Sequence, residues 1–213
     1  MIEAVIWDFG GVLTSSPFEA FTRYERERGL PVDFIRTINA TNPDTNAWAL
    51  FERAEVTLDQ FDELFAKEAA AKGHEVRGLD VVRLLSGDIR PAVVKALKAC
   101  KARLKVGCIT NNVPAGKGAG MARSEDKAAQ VAEVMALFDH VIESSKLGIR
   151  KPDPRIYELA CKTLKVSPAH CVYLDDLGIN LKPAKKLGMT TIKVVEPGQA
   201  MAELEAVVGF SVS

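Results

Sequence analysis

Residues 2–14 read IEAVIWDFGGVLT. Ala4, Val5, Ile6 and Trp7 form a short apolar, β-prone run, the pattern of a strand buried on both faces of a parallel sheet. The run stops at Asp8. Gly10 and Gly11 follow, and two glycines let a backbone turn sharply and approach a ligand closely. A carboxylate therefore stands at the C-terminal end of a central strand, where open α/β sheets place their ligand sites. Asp8 taken alone serves equally well as a turn cap, so the rest of the chain has to separate the two readings.

The same arrangement recurs downstream. Residues 104–109 predict a second buried strand ending in Thr110, Asn111 and Asn112, and residues 171–174 another ending in Asp175 and Asp176. Val141–Ile142 and residues 190–195 add two short strands. Helical patterns lie between them at 91–100 (apolar at Val93, Val94, Leu97 and Cys100), 126–137, 155–164 and 199–208, with another ending near Gly188. Alternation of strand and helix from residue 88 onward predicts a Rossmann-like, doubly wound parallel sheet with helices on both faces. Residues 146–154 read as a turn-rich loop. Residues 113–120, with three glycines and a proline, read as a mobile connector. They lack the Lys-Ser/Thr ending of a phosphate-binding loop.

Residues 17–86 show no strand-like alternation. Phe18, Phe21 and Tyr24 recur at helical spacing, as do Val32, Ile35 and Ile38. Thr57 and Gln60 make a capping box, and Leu58, Phe61, Leu64 and Phe65 line one face up to Gly73. Trp48 and Phe51 read as core of the same unit. The chain thus divides into an α/β core, residues 1–15 and 88–213, and an all-helical insert, residues 16–87.

Composition narrows the function. The 213 residues carry 28 Lys plus Arg against 28 Asp plus Glu, so nothing recommends nucleic acid or an anionic membrane as partner. No apolar run approaches the ~20 residues that span a bilayer. A chain opening directly on a strand leaves no room for a signal peptide, which predicts a cytoplasmic protein. Cys100, Cys108, Cys161 and Cys171 form no C-x-x-C pair and read as buried free thiols. His140 and His170 abut strand starts and predict packed side chains, whereas His74 and Arg150 read as solvated. Nothing selects between a monomer and a homodimer.

In a parallel sheet the C-terminal strand ends share one edge, so Asp8, Thr110, Asn111, Asp175 and Asp176 can converge. Crowded carboxylates repel one another unless a cation neutralises them. Magnesium prefers one or two carboxylates completed by water and phosphate oxygens. Lys151 supplies a point charge suited to a phosphate oxygen. The set predicts a phosphoryl site with Asp8 as nucleophile.

Four signatures in order then carry a resemblance: Asp8-Phe9-Gly10-Gly11-Val12, Ile109-Thr110-Asn111-Asn112, Lys151-Pro152-Asp153-Pro154 with Ile156-Tyr157, and Leu174-Asp175-Asp176 with Asn180. The chain resembles the haloacid dehalogenase superfamily over essentially its whole length, in the class whose helical cap follows the first motif. Residues 174–184 and Phe51-Glu52-Arg53 are similar to the N-terminal phosphatase domain of soluble epoxide hydrolases. The resemblance implies an aspartyl-phosphate on Asp8. It also implies Mg2+ bound by Asp8, the Gly10 carbonyl and Asp176, with Asp175 and Asn180 behind. Thr110, Asn111 and Lys151 would hold the phosphoryl oxygens of a small phosphorylated substrate, Lys151 also balancing charge beside Asp8. The chain departs from the family at Gly10, where phosphatases of this superfamily usually carry a second aspartate that protonates the leaving group. Loss of such an acid typically costs ~10²–10⁴ in rate. Activated leaving groups would tolerate it, or water, Asp44, Glu52 or Glu55 would supply the proton. A phospholigand-binding protein with little turnover and a 2-haloacid dehalogenase stand as alternatives; adjacent Asp175 and Asp176 speak against the latter, which works without metal.

Overall fold

In the computed structural model, which describes residues 1–212, the first apolar run forms β1 (Ala4–Trp7), with all four residues buried. Four more strands follow: β2 (Lys105–Thr110), β3 (His140–Glu143), β4 (Cys171–Asp175) and β5 (Thr190–Lys193). They form one parallel sheet in the order β3-β2-β1-β4-β5. Alternate side chains of β1 feed two cores. Val5 and Trp7 pack with α6 (Pro91–Lys101), α7 (Glu125–Met135) and α11 (Pro197–Val208). Ala4 and Ile6 pack with α9 (Pro154–Leu164) and α10 (Gly178–Lys186) on the other face. This is the doubly wound, Rossmann-like α/β arrangement that the alternation predicts.

Chain order reverses direction between β1 and β4, and such a switch point is where an open α/β sheet forms its ligand crevice. Trp7 lies level with Cys108 on one side and Leu174 on the other. The next residue along each strand is therefore Asp8, Ile109 or Asp175.

Between β1 and α6 the chain forms α1 (Pro17–Glu27), α2 (Phe34–Ala40), α3 (Ala47–Glu52), α4 (Leu58–Ala70) and α5 (Gly78–Val82). They close over an aromatic core in which Phe51 stacks on Phe61 with ring centroids 4.5 Å apart. Helices this short are marginal alone, and their N-terminal amides are satisfied by side chains of neighbours. Buried Glu25 accepts from the amides of Asp33 and Ile35, Glu68 from Ala47, and Asp62 from Leu79. The predicted capping box of Thr57 and Gln60 is present.

Several expectations need correction. Val32 is 86% exposed, because α2 begins only at Phe34 and its buried face is Phe34, Ile35 and Ile38. His74 is half-buried, with its ring edge-on to Phe34 at 4.9 Å. His140 is exposed at the edge strand, and His170 meets Glu3 at 2.8 Å near the surface. Part of residues 146–154 belongs to α8 (Ser144–Leu147), a helix too short to show periodicity. Residues 113–122 fold back through a bridge between Lys117 and Ala122, with Val113 and Met121 against the helical core.

Ala54, just after α3, has φ of +56°. A side chain there costs about 1–2 kcal/mol relative to the right-handed region, part of which glycine returns as extra entropy of unfolding. Ala54→Gly should stabilise the chain by about 0.5–1 kcal/mol, read as a melting temperature raised by ~1–4 °C. A lower value would mean that the Ala54 methyl has packing worth more than the strain.

Candidate active site

Asp8 leaves the end of β1 with its amide still on the ladder, donating to the Leu174 carbonyl at 2.8 Å. Its carboxylate is buried, and Oδ1 accepts from the Phe9 amide at 2.7 Å and lies 2.8 Å from Lys151 Nζ. Lys151, 1% exposed, also lies 2.8 Å from Asp175 Oδ2. Asp175 is wholly buried and fully satisfied. It accepts from the Leu177 amide at 2.8 Å, from Asn180 Nδ2 at 3.1 Å and from the Tyr173 hydroxyl. Tyr157 braces this group, its hydroxyl donating to the Asn180 carbonyl at 2.7 Å.

Asp176 is different. It is half-buried, and its carboxylate lies so close over Gly11 that a Cβ there would sit 2.2 Å from Asp176 Oδ2. Gly11 also has φ of +79°. Conformation and close approach both require glycine at this position. One oxygen from each of Asp8, Asp175 and Asp176 lies within 4.8 Å of the others.

The electrostatics follow from three carboxylates around one lysine. Burial pushes the Asp8 carboxyl well above its ordinary range; Lys151 opposes this, and Asp175 and Asp176 add to it. Burial, with Asp175, pushes Asp176 up to about 6. Burial works against the Lys151 ammonium, but Asp175 and Asp8 outweigh it and hold the charge on. Three carboxylates thus face a single ammonium, and the ligand atoms they offer are all oxygens, a set that suits a hard divalent cation.

The structure brings Asp8, Lys151, Asp175, Asp176 and Asn180 together, with Thr110 buried at the adjoining end of β2. The Asn111 side chain is committed to Lys151: its Oδ1 accepts the Lys151 amide at 2.8 Å, and its Nδ2 donates to the Lys151 carbonyl at 3.0 Å. Asn112 is tied to the start of α8 through Glu143, Ser144 and Ser145.

Sequence reasoning missed three participants. Tyr173 stands two residues before Asp175 on β4, hence on the same face, and that spacing is the signal that would have found it. Arg90 donates to the Gly11 carbonyl at 2.9 Å and lines a cleft with Gly11, Asp176 and Lys193; nothing local marks it. Arg150 is no solvated charge but pairs with Glu52 of α3, at 19% and 7% side-chain exposure. Of the proposed proton donors, Glu52 accepts on both oxygens, from Trp48 Nε1 on one and from Arg150 and Asn111 on the other. Arg53 holds the Glu55 carboxyl below its ordinary range. Asp44 is exposed in the segment before α3. Among the described residues no helix is long and apolar enough to cross a membrane.

The family model for haloacid dehalogenase-like hydrolases matches residues 2–188. The chain is 35% identical to acyl-CoA dehydrogenase family member 10 and 31% identical to bifunctional epoxide hydrolase 2, both from Mus musculus, over 97% and 98% of its own length. It spans only 19% and 39% of those proteins. It is also 31% identical to the phosphatase MT3486 of Mycobacterium tuberculosis, over 93% of this chain and 89% of that one. A HAD family enzyme of Bacteroides thetaiotaomicron, solved with magnesium and inorganic phosphate, has the same fold. Its TM-score is 0.63 at 18% identity, over 96% of this chain and 99% of that one. With the motifs assembled at one sheet edge and the family match running through all of them, the chain belongs to the haloacid dehalogenase-like hydrolases.

Proposed function

We propose that this chain is a magnesium-dependent phosphatase acting on a small phosphorylated metabolite in the cytoplasm, with residues 16–87 serving as a cap over the site. One observation carries the reading: the Asp8 carboxylate is held 2.8 Å from a buried lysine and beside two more carboxylates at the sheet's switch point. A phosphatase relative matched over nearly its whole length and a structural neighbour holding magnesium and phosphate support it.

Asp8 Oδ1 is engaged by the Phe9 amide and by Lys151, which leaves Oδ2 to attack phosphorus. The bond to the leaving oxygen breaks and an aspartyl-phosphate forms; water then attacks its phosphorus, releasing phosphate and restoring Asp8. Lys151 neutralises charge between the carboxylate and the phosphoryl group, and Thr110 donates a hydroxyl to a phosphoryl oxygen. Asp8, the Gly10 carbonyl and Asp176 would hold Mg2+, with Asp175 and Asn180 behind them. The ion would offset carboxylate repulsion and polarise the phosphoryl group.

Gly10 shapes the substrate range. A Cβ placed on it would meet nothing within 4 Å, so packing does not demand glycine there, and the position itself supplies no acid to protonate the leaving group. We expect acyl and aryl phosphates to be hydrolysed at least ~10²-fold faster than alkyl phosphates. A phosphate-release assay over such a panel, with magnesium and with chelator, tests both points. Metal-dependent release graded by leaving group supports the reading. Silence across the panel, with phosphate analogues still bound, would replace it with a phospholigand-binding role, the second reading that Gly10 favours.

A further inference from the structure

Glu52, at the end of α3, reaches the strand edge from the helical insert. Its carboxylate is almost fully buried, and Oε2 accepts from both Arg150 Nε and Asn111 Nδ2. Arg150 makes a second attachment to the insert, Nη1 donating to the Pro43 carbonyl at 2.9 Å. Arg150 immediately precedes Lys151. Asn111 clasps the Lys151 backbone from both sides, through its amide and its carbonyl. The helical insert is therefore joined to the peptide units that carry Lys151 by two routes. One passes through the Asn111 side chain and the other through the main chain at Arg150. Among the three acidic side chains weighed as proton donors, Glu52 is the buried one, and both its oxygens are in use as acceptors, so its contribution lies elsewhere.

We propose that Glu52 and Arg150 are positioning residues, a buried ion pair across the insert and the α/β sheet that sets where Lys151 stands relative to Asp8. The proposal rests on reading Lys151 as the charge beside a phosphoryl group. It adds that the placement of the helical insert is read out at that lysine. With the pair intact, Lys151 Nζ stays within 2.8 Å of both Asp8 and Asp175. With the pair broken, one of the two polar clamps on residues 150–151 is released, and Asn111 loses its outer acceptor. Groups linked in one network of this kind act as a unit, so removing the second partner adds little to removing the first.

The test uses the full chain as Glu52→Gln, Arg150→Met and the double variant. Hydrogen exchange is read at residues 148–153 and, as a control, across β1. Turnover of para-nitrophenyl phosphate is read alongside. We expect exchange at the Lys151 amide to quicken by roughly 10-fold or more in each variant while β1 stays protected. We expect kcat to fall about 10-fold or more with KM within about 2-fold, the signature of an interaction made in the transition state. The double variant should be no worse than the poorer single one. A purely structural role would instead speed exchange in β1 as well and leave kcat per folded molecule unchanged. Unchanged exchange at 148–153, or multiplying losses in the double variant, would overturn the proposal. Arg150→Lys keeps the charge and serves if Arg150→Met does not fold; it should lose less than Met on both readouts. If the wild-type chain hydrolyses nothing, the phosphatase reading fails by itself and the exchange data decide the coupling alone.

Discussion

Asp8→Asn should release no phosphate from any ester in the panel, a fall in kcat of at least about 10³-fold, in a chain that is still fully folded. The size follows from the role: with the nucleophile gone, what remains is binding and electrostatic stabilisation of an attack nothing is placed to make. The stability half follows from burial. The folded state pushes the Asp8 carboxyl well above its unfolded value, chiefly by desolvation, so the ionised side chain is a load on the fold at neutral pH. An amide of the same shape removes that load and still accepts from the Phe9 amide and from Lys151, which keeps Asp175 as its ionic partner. The variant should therefore melt no lower than the parent in chelator at pH 7.5. Hydrolysis that survives the substitution would move the nucleophile elsewhere. A clearly lower melting temperature would show that the Lys151–Asp8 attraction outweighs the cost of burying both.

How much of this was legible beforehand divides along physical lines. Strand ends are marked in sequence by an apolar run meeting a polar residue, so Asp8, Thr110 and Asp175 could be placed at one edge without coordinates. Parallel pairing then had to bring them level, and the register does so within a residue. Contacts between elements far apart in the chain carry no such mark. Arg150 looked solvated because its partner Glu52 is ninety-eight positions away, and Arg90 was passed over because its acceptor is the Gly11 carbonyl. Val32 misled for a local reason. Its spacing to Ile35 fits a helix, but the chain enters α2 through Asp33 at positive φ, and the helical register starts one residue later.

Asp175 and Asp176 are neighbours in sequence with opposite surroundings, and that contrast decides what each can do. Asp175 has both oxygens filled by four donor groups, Lys151, Tyr173, Leu177 and Asn180, and no exposure. Asp176 rests on Gly11 at the cleft with its carboxylate partly open. A ligand that binds from the cleft meets Asp176 first, while Asp175 keeps Lys151 and Asn180 in place behind it.

Magnesium should therefore raise the melting temperature by an amount that grows with pH, and Asp176→Asn should remove most of the rise. A ligand at one hundred times its dissociation constant stabilises the folded state by about 2.7 kcal/mol, which for a chain of this length is roughly 5–10 °C. The sign of the pH dependence comes from Asp8 and Asp176, whose folded carboxyls lie above their unfolded values, Asp176 at about 6. Without metal, their contribution to stability is full below about pH 4 and is lost as pH rises through the folded values. The metal-free chain is thus weakened by this pair at neutral pH. Glu55, Asp62, Asp88 and Asp153 are shifted the other way, and lose their contribution only as pH falls below about 4, outside that window. Because the cation binds the ionised carboxylates, it competes with protons below about pH 6 and restores at pH 7.5 what their repulsion removes. Melting curves at pH 5 and 7.5, each with chelator and with saturating magnesium, read all of this. A shift of equal size at both pH values would mean that the carboxylates are already ionised at pH 5 and that burial does not hold their protons on. A full shift retained in Asp176→Asn would take Asp176 out of the ligand set and leave Asp8 and the Gly10 carbonyl to hold the ion with another partner.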